Sequence, residues 1–405
     1  MKYLQLNKNI KLFLLVIFLF GLTSSAFNGF LGIYVKEIGY DEAVVGSLLS
    51  WRRLSVAFSA ILMAILASRL GRKQALQLGL ILMGVGGIGI VLTENMTIMY
   101  LMAVVYGVGQ STLMTFEAPL LYENTVESER VYAFSASFAA RNAAFMTGSL
   151  GTGLLADFLT NVIPPEAMGV RYALVLISTM TFVAMIPLLM MHLHEKEKPK
   201  PLSMADIPQV LNRKVVWVFI YTAIIGFGAG MIVPFFGVFL KYQLSVADTV
   251  VGVILAISQL GTVLGGLSVP LLSKKFGKAK TVILVQMLSI PFLMLIGINK
   301  SIILVTIAFF FRSSLMNMAH PLIQNLYMEL VPAQNRALVN AMRSSANNLS
   351  RAGGIFIGGL MMKSISYSAP YAVTIVCYLL GSSLFFFLFA AKKKHALFTG
   401  KQMAS

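Results

Sequence analysis

Acidic residues are scarce in this chain: 15 Asp and Glu stand against 32 Lys and Arg, and charged residues of both signs fill only 12% of 405 positions. Cysteine occurs once, as Cys377, so no intrachain disulfide can form, and its place in an apolar run suits a small buried side chain. The sequence also lacks a Cys/His spacing suited to a metal, paired carboxylates inside its apolar runs, and a nucleophile with a partnering base. Those absences argue against an enzyme, so no catalytic residue, metal or cofactor is expected. Long polar stretches are missing too, and no appended soluble domain is expected.

What fills the chain instead is apolar. Hydrophobic residues make up 58% of it, and runs near 20 residues, the length that crosses a bilayer as a helix, recur throughout. The expected fold class is an all-α, multi-pass membrane protein. Twelve spans are read, at 12–35, 44–67, 75–93, 98–122, 132–157, 171–192, 215–240, 249–272, 280–298, 302–326, 339–362 and 370–391. With both termini cytoplasmic, the segments on that side hold 21 of the 32 Lys and Arg and the outer segments five, a skew that the opposite orientation would invert. The net charge of +17 thus reports orientation in a lipid bilayer, and no nucleic-acid partner is expected. Lys2, Lys8 and Lys11 before the first run, and Ser24-Ser25-Ala26 within it, imitate a secretory signal. The apolar stretch continues to Tyr34, which favours a retained span.

The chain repeats itself. Gly46 recurs as Gly252, Gly71 as Gly277, Glu123 as Glu329, Arg130 as Arg336, Asn142 as Asn348, Gly148 as Gly354 and Gly153 as Gly359, always 206 positions later. Two parallel six-helix halves related by a pseudo-two-fold axis are expected, over residues 1–192 and 215–405, with a cytoplasmic linker at 193–214. Pro199 and Pro201 stop a helix in that linker, and a short surface helix is expected from Ser203 to Leu211.

Six arginines, Arg52, Arg53, Arg141, Arg312, Arg343 and Arg351, lie within the apolar runs, and Glu117 is the carboxylate at comparable depth. A cation near the bilayer centre costs roughly 2.5 to 3.5 kcal/mol on insertion scales, so such side chains turn toward a polar cavity. At about 100° per residue, Arg343, Asn347, Arg351 and Gly354 form one stripe, and Ser137 and Arg141 share a face. Arg52, Ser55 and Ser59 form a third stripe, from which Arg53 points away. By depth, Arg52, Arg312 and Arg351 are the favoured contacts for an anionic solute, since guanidinium forks match carboxylate and phosphate. Arg141 and Arg343 suit substrate contact or structure equally. Asn28, Gln110, Tyr221, Gln259, Asn317 and Asn347 are uncharged candidates. Glu117 either pairs with Arg141 or, with His320, carries a proton.

The basic turn after the second span reads Ala64-x-x-x-Ser68-Arg69-x-Gly71-Arg72-Lys73, and a weaker copy follows at Lys274, Lys275, Gly277 and Lys278. It resembles the loop signature of the major facilitator superfamily, Gly-x-x-x-Asp-Arg-x-Gly-Arg-Lys, and the resemblance extends over essentially the whole chain. It implies a conformational role for Ser68, Arg69, Gly71, Arg72 and Lys73, although Ser68 replaces the Asp that helps to lock the family's halves. It also implies that spans 1, 2, 4, 5, 7, 8, 10 and 11 border a central cavity while 3, 6, 9 and 12 pack outside. All six arginines, Glu117 and His320 fall on the first set. Gly107-x-Gly109 lacks the preceding Arg of many proton-coupled exporters, with Ala103 in its place, and Gly148 to Gly153 lacks the proline of the drug antiporters.

The expected function is secondary active transport. A small organic anion or zwitterion would move by alternating access through an arginine-rich cavity of a bacterial-type cell membrane, against a coupling proton or counter-anion, in a monomer. The alternative is a proton-coupled antiporter exporting drugs, amphiphiles or lipids, which 24 Met and 28 Phe would suit by lining an adaptable pocket. A transporter-like sensor or an intramembrane enzyme has less behind it.

Overall fold

A bilayer core offers backbone N–H and C=O groups no partner, so an apolar run there must close its own hydrogen bonds as a helix. The computed structural model describes residues 6–163, 168–192, 213–331 and 336–390. They form helical rods with no strand among the described residues: α1 (Lys8–Glu37), α2 (Glu42–Leu70), α3 (Arg72–Leu92), α4 (Met96–Glu123), α5 (Glu127–Val162) and α6 (Gly169–Met190). The second set is α7 (Arg213–Gln243), α8 (Asp248–Phe276), α9 (Lys278–Ile298), α10 (Ile302–Met328), α11 (Arg336–Ser364) and α12 (Ala369–Phe389). The expected surface helix at Ser203 to Leu211, and the linker up to residue 212, lie outside the described residues.

Nine of these rods are long and apolar enough to cross a membrane. The other three, α2, α5 and α11, carry Arg52, Arg53, Arg141, Arg343 and Arg351. The sequence placed twelve crossings, so the difference falls on α2, α5 and α11.

Local chemistry sets the ends. Side chains of Asn7, Asp41 and Asn95 accept backbone N–H groups at the starts of α1, α2 and α4. Gly71 and Gly277 end α2 and α8 with φ of 92° and 78°, a conformation that favours glycine. Within α7, Pro234 has no N–H to donate, and the helix tightens to a 3-10 turn over Val233–Phe235 before continuing.

The 206-residue repeat reappears in the packing. Helix α1 lies on α5 as α7 lies on α11, α2 on α4 as α8 on α10, and α3 on α4 as α9 on α10. Between the two sets of six, α2 crosses α11 and α5 crosses α8. Gly46 of α2 meets Gly359 of α11 so closely that a Cβ on Gly46 would lie 3.0 Å from the Gly359 Cα. Gly252 of α8 meets Gly153 of α5 in the equivalent contact, with 3.3 Å from a Gly252 Cβ to the Gly153 Cα. The four glycines of these crossings are the two repeat pairs Gly46/Gly252 and Gly153/Gly359.

Candidate functional site

These close crossings hold the halves together at the end of the bundle away from the start of α1 and the end of α12, called the distal end below. Charged groups reinforce them there. Lys241 of α7 bonds Glu37 of α1 at 2.5 Å and Asp248 of α8 at 2.8 Å. Lys363 of α11 bonds Asp41 before α2 at 2.6 Å. Tyr367 donates to Glu42 and accepts from Lys36 at 3.0 Å, while Lys36 and Glu42 are themselves an ion pair. Asp157 of α5 accepts the N–H groups of Asp248 and Thr249 at 3.2 and 2.8 Å, capping the start of α8 across the interface. Ser50 of α2 adds a hydrogen bond to the Ala352 carbonyl of α11 at 2.9 Å.

Toward the termini the halves diverge around a cavity of about 450 Å³. Arg53, Arg141, Arg312, Arg343 and Arg351 line it, with Glu117, His320, Asn28, Gln110, Tyr221, Gln259, Asn317 and Asn347. The cavity thus gathers five of the six membrane arginines and every uncharged candidate read from the sequence. Arg141, whose side chain is 47% exposed, marks its watery side.

Arg52 is the exception. It is 5% exposed and turned into the first half, where it donates to the Phe27 carbonyl at 3.3 Å and to the Asn28 Oδ1 at 2.7 Å, over the Tyr106 ring. Arg52, expected from sequence on the cavity side, is therefore not on this wall, and Arg53, which the sequence pointed away from that face, is. The reason is the polar stripe they flank. Ser59 donates to Ser111 of α4 at 2.9 Å, and Ser55 packs on Gly107 of α4, so Arg52, Ser55 and Ser59 mark a helix-packing face.

Glu117 is bonded to Arg141 and accepts from Ser137 as well, so the face shared by Ser137 and Arg141 serves one carboxylate. His320 stands on the wall without a hydrogen-bond partner among the described residues. Arg312 is 4% exposed, bonds the Tyr378 hydroxyl at 2.9 Å and lies over the Phe236 ring. Arg343 lies over the Tyr327 ring. The Nε atoms of Arg312, Arg343 and Arg351 are buried without an acceptor. Asn142 of α5 accepts from Gln259 of α8, joining the halves at mid-depth.

Helices α9 and α12 were expected to act only as outer supports, yet each reaches the wall. Gln286 of α9 donates to the Tyr221 hydroxyl at 2.7 Å and accepts from Ser382 of α12 at 3.0 Å. Tyr378 of α12 holds Arg312. Their long polar side chains pass between the inner helices, and the one visible signal was an amide in a run with no other strongly polar group. The basic turn lies outside the cavity. Arg72 pairs with Glu123, and Lys278 with Glu329 at 2.7 Å, two ion pairs related by the same 206-residue offset. Lys73 donates to the Leu189 and Met191 carbonyls at 2.9 and 2.6 Å, tying the turn to α6. The side chain of Ser68 lies outside the described residues.

Comparison with solved structures gives the same architecture. A mutant of the nucleoside transporter NupG superposes with a TM-score of 0.80 at 14% identity, covering 95% of this chain and all of that one, 100%. A bacterial homologue of the human lysosomal transporter Spinster, in an inward-facing and occupied conformation, gives 0.76 at 14% identity over 94% and 96%. The xylose transporter XylE of E. coli, partially occluded and inward open, gives 0.71 at 14% identity over 95% and 98%. Among curated proteins, YwtG of Bacillus subtilis (strain 168), named for metabolite transport, is 24% identical over 173 residues, 43% of this chain and 36% of the relative's own length. The family model described as Major Facilitator Superfamily matches residues 13–229 and again 218–403, so both halves fit it. The chain belongs to the Major Facilitator Superfamily.

Proposed function

We propose that this protein is a secondary transporter of a small organic solute, anionic or zwitterionic, working by alternating access. The observation that carries the reading is the charge of the cavity wall. Arg53, Arg312, Arg343 and Arg351 have no carboxylate partner among the described residues, and the one acid on the wall, Glu117, is taken by Arg141. Buried guanidinium groups without counter-charge require water or an anion, and a solute carboxylate or phosphate supplies the second. Residues 1–192 and 215–405 act as the two moving bodies, joined by 193–214. All twelve rods cross a plasma membrane with both termini cytoplasmic, which makes the closed distal end external and the cavity open inward. Flux of organic anions into reconstituted vesicles tests the assignment: R53Q, R312Q and R351Q each slow it, and undiminished flux in all three rejects the anion site.

A second reading, transport of an amphiphile with an anionic head, draws on the rest of the wall. Phe20, Leu113, Met114, Phe145, Phe236 and Met316 give it a large apolar share. Purified protein warmed with organic anions, anionic amphiphiles and lipophilic cations separates the cases, because ligands of the folded state raise the melting temperature by mass action. Stabilisation by cations alone overturns both readings.

A further inference from the structure

The charge of the cavity also bears on how the carrier returns empty. Five arginines and one glutamate line it, and the glutamate is bonded to Arg141. The remaining four positive charges stand in a space that widens toward the termini, where water reaches the wall. Reorientation requires that end to close, and closing removes this water from around the half-buried Arg53, Arg343 and Arg351 and keeps it from Arg312, which is 4% exposed already. A desolvated charge is costly, and neighbouring like charges raise the cost of each.

Few remedies exist within the chain. A guanidinium group keeps its proton throughout the range in which proteins function, so the wall cannot discharge itself by titration. Protonation of His320 would add to the excess. Glu117 neutralises Arg141 already. Asn347, which lies one turn from both Arg343 and Arg351 on α11, is neutral where its repeat counterpart is Arg141. The missing negative charge has to come from the cargo.

We propose that this chain is an obligate anion exchanger: the empty carrier does not reorient, and each anion carried one way is traded for an anion carried back. The inference rests on the anion reading of the cavity given above. It places the energetic barrier in the empty form alone, because an anion seated among the arginines supplies the counter-charge that lets the terminal end close.

Spin labels at L92C and I298C test this without knowledge of the cargo. Both positions are exposed, end α3 and α9 at the distal end, and are repeat counterparts, so their separation reports opening there. In a C377A background, in lipid nanodiscs and Tris chloride, the otherwise unsubstituted protein is expected to give a single short-distance population by pulsed electron resonance. N347D places a carboxylate of nearly unchanged shape within one turn of Arg343 and Arg351. It is expected to raise a longer-distance population at least tenfold, and R343Q/R351Q to do the same. Should the double variant fail to fold, N347D decides. A long-distance population in the parent equal to that of the variants overturns the proposal, and so does a short distance that neither variant changes. Vesicles of the parent that carry no anion would sink the anion reading itself, whatever the labels report. Anion flux together with a freely reorienting empty carrier would sink exchange alone.

Discussion

Gly46 is the point at which a single methyl group should move the whole transporter. Its Cβ would lie 3.0 Å from both the Cα of Gly359 and the carbonyl oxygen of Ile355, and 3.3 Å from the Gly359 nitrogen. All three neighbours are backbone, so none can swing aside as a side-chain tip would. Overpacking of this kind costs about 1 to 3 kcal/mol. G46A also improves helix propensity by roughly 1 kcal/mol, but α2 is a helix whether the distal end is closed or open, so that gain cancels from the equilibrium between them. The clash exists only when the end is closed. The open population should therefore rise by about 5- to 150-fold, at 1.4 kcal/mol per factor of ten. A cysteine at Ser50, one turn from Gly46 on the same seam, can report it in a C377A background. Its labelling rate by an impermeant thiol reagent follows the open population even when that population is small. G151A is the control, since nothing lies within 4 Å of a Cβ there. Unchanged labelling in G46A, with G151A also silent, would refute the reasoning that backbone contact at this crossing holds the distal end shut.

Three further outcomes are expected. K241Q leaves Glu37 and Asp248 buried against each other across the halves, a loss on the order of 3 to 5 kcal/mol for the closed distal end, visible as faster S50C labelling. The Asp41 carboxyl is held below the usual range, first by its hydrogen bond from Lys363 and further by the Val44 N–H. Its contribution is complete above the ordinary carboxylate range near pH 4 and fades as pH falls through the lowered value. Because the pair is exposed, loosening at low pH should amount to roughly 0.2 to 1 kcal/mol and vanish in K363Q, as a pH series of S50C labelling will show. R52Q should act on stability: the Asn28 amide and Phe27 carbonyl lose a buried partner, at about 1 to 3 kcal/mol, read as a lower melting temperature in detergent. R53Q, by contrast, should leave melting nearly unchanged.

Much of this architecture could be read before any coordinates, for an identifiable reason. Residues such as Gly46 and Gly252 recur at one offset because each half must present the same small surface to the other, so symmetry is written into spacing. The stripe of Arg343, Asn347 and Arg351 was legible too, since helical periodicity fixes which side chains share a face. What periodicity does not fix is the neighbour that face meets. Arg52 and Arg53 point about 100° apart, and the serine stripe beside Arg52 made it look like the cavity residue. That stripe packs on Ser111 and Gly107 of α4, which only the tertiary arrangement reveals. Gln286 and Tyr378 were missed because each lies on a helix that is otherwise apolar and reaches the wall through its neighbours. Equal depth on adjacent spans offered the Glu117–Arg141 pair as one of two readings of Glu117, and the face that Ser137 shares with Arg141 did not by itself reveal the bond from Ser137 to Glu117.

The arginines carried by α2, α5 and α11 have a consequence for how the protein is made. With Arg343 and Arg351 both at membrane depth, α11 would face an insertion cost of roughly 5 to 7 kcal/mol if it left the biosynthetic machinery alone. Helix α7 is already in place by then, offering Gly230 against the Arg351 backbone and the Phe227 carbonyl against Gly354. The earlier helices therefore serve the later ones as solvent. Biogenesis becomes a relay in which each charged segment waits for a protein neighbour before it leaves water, and a chain from which α7 had been deleted would have no place to receive α11.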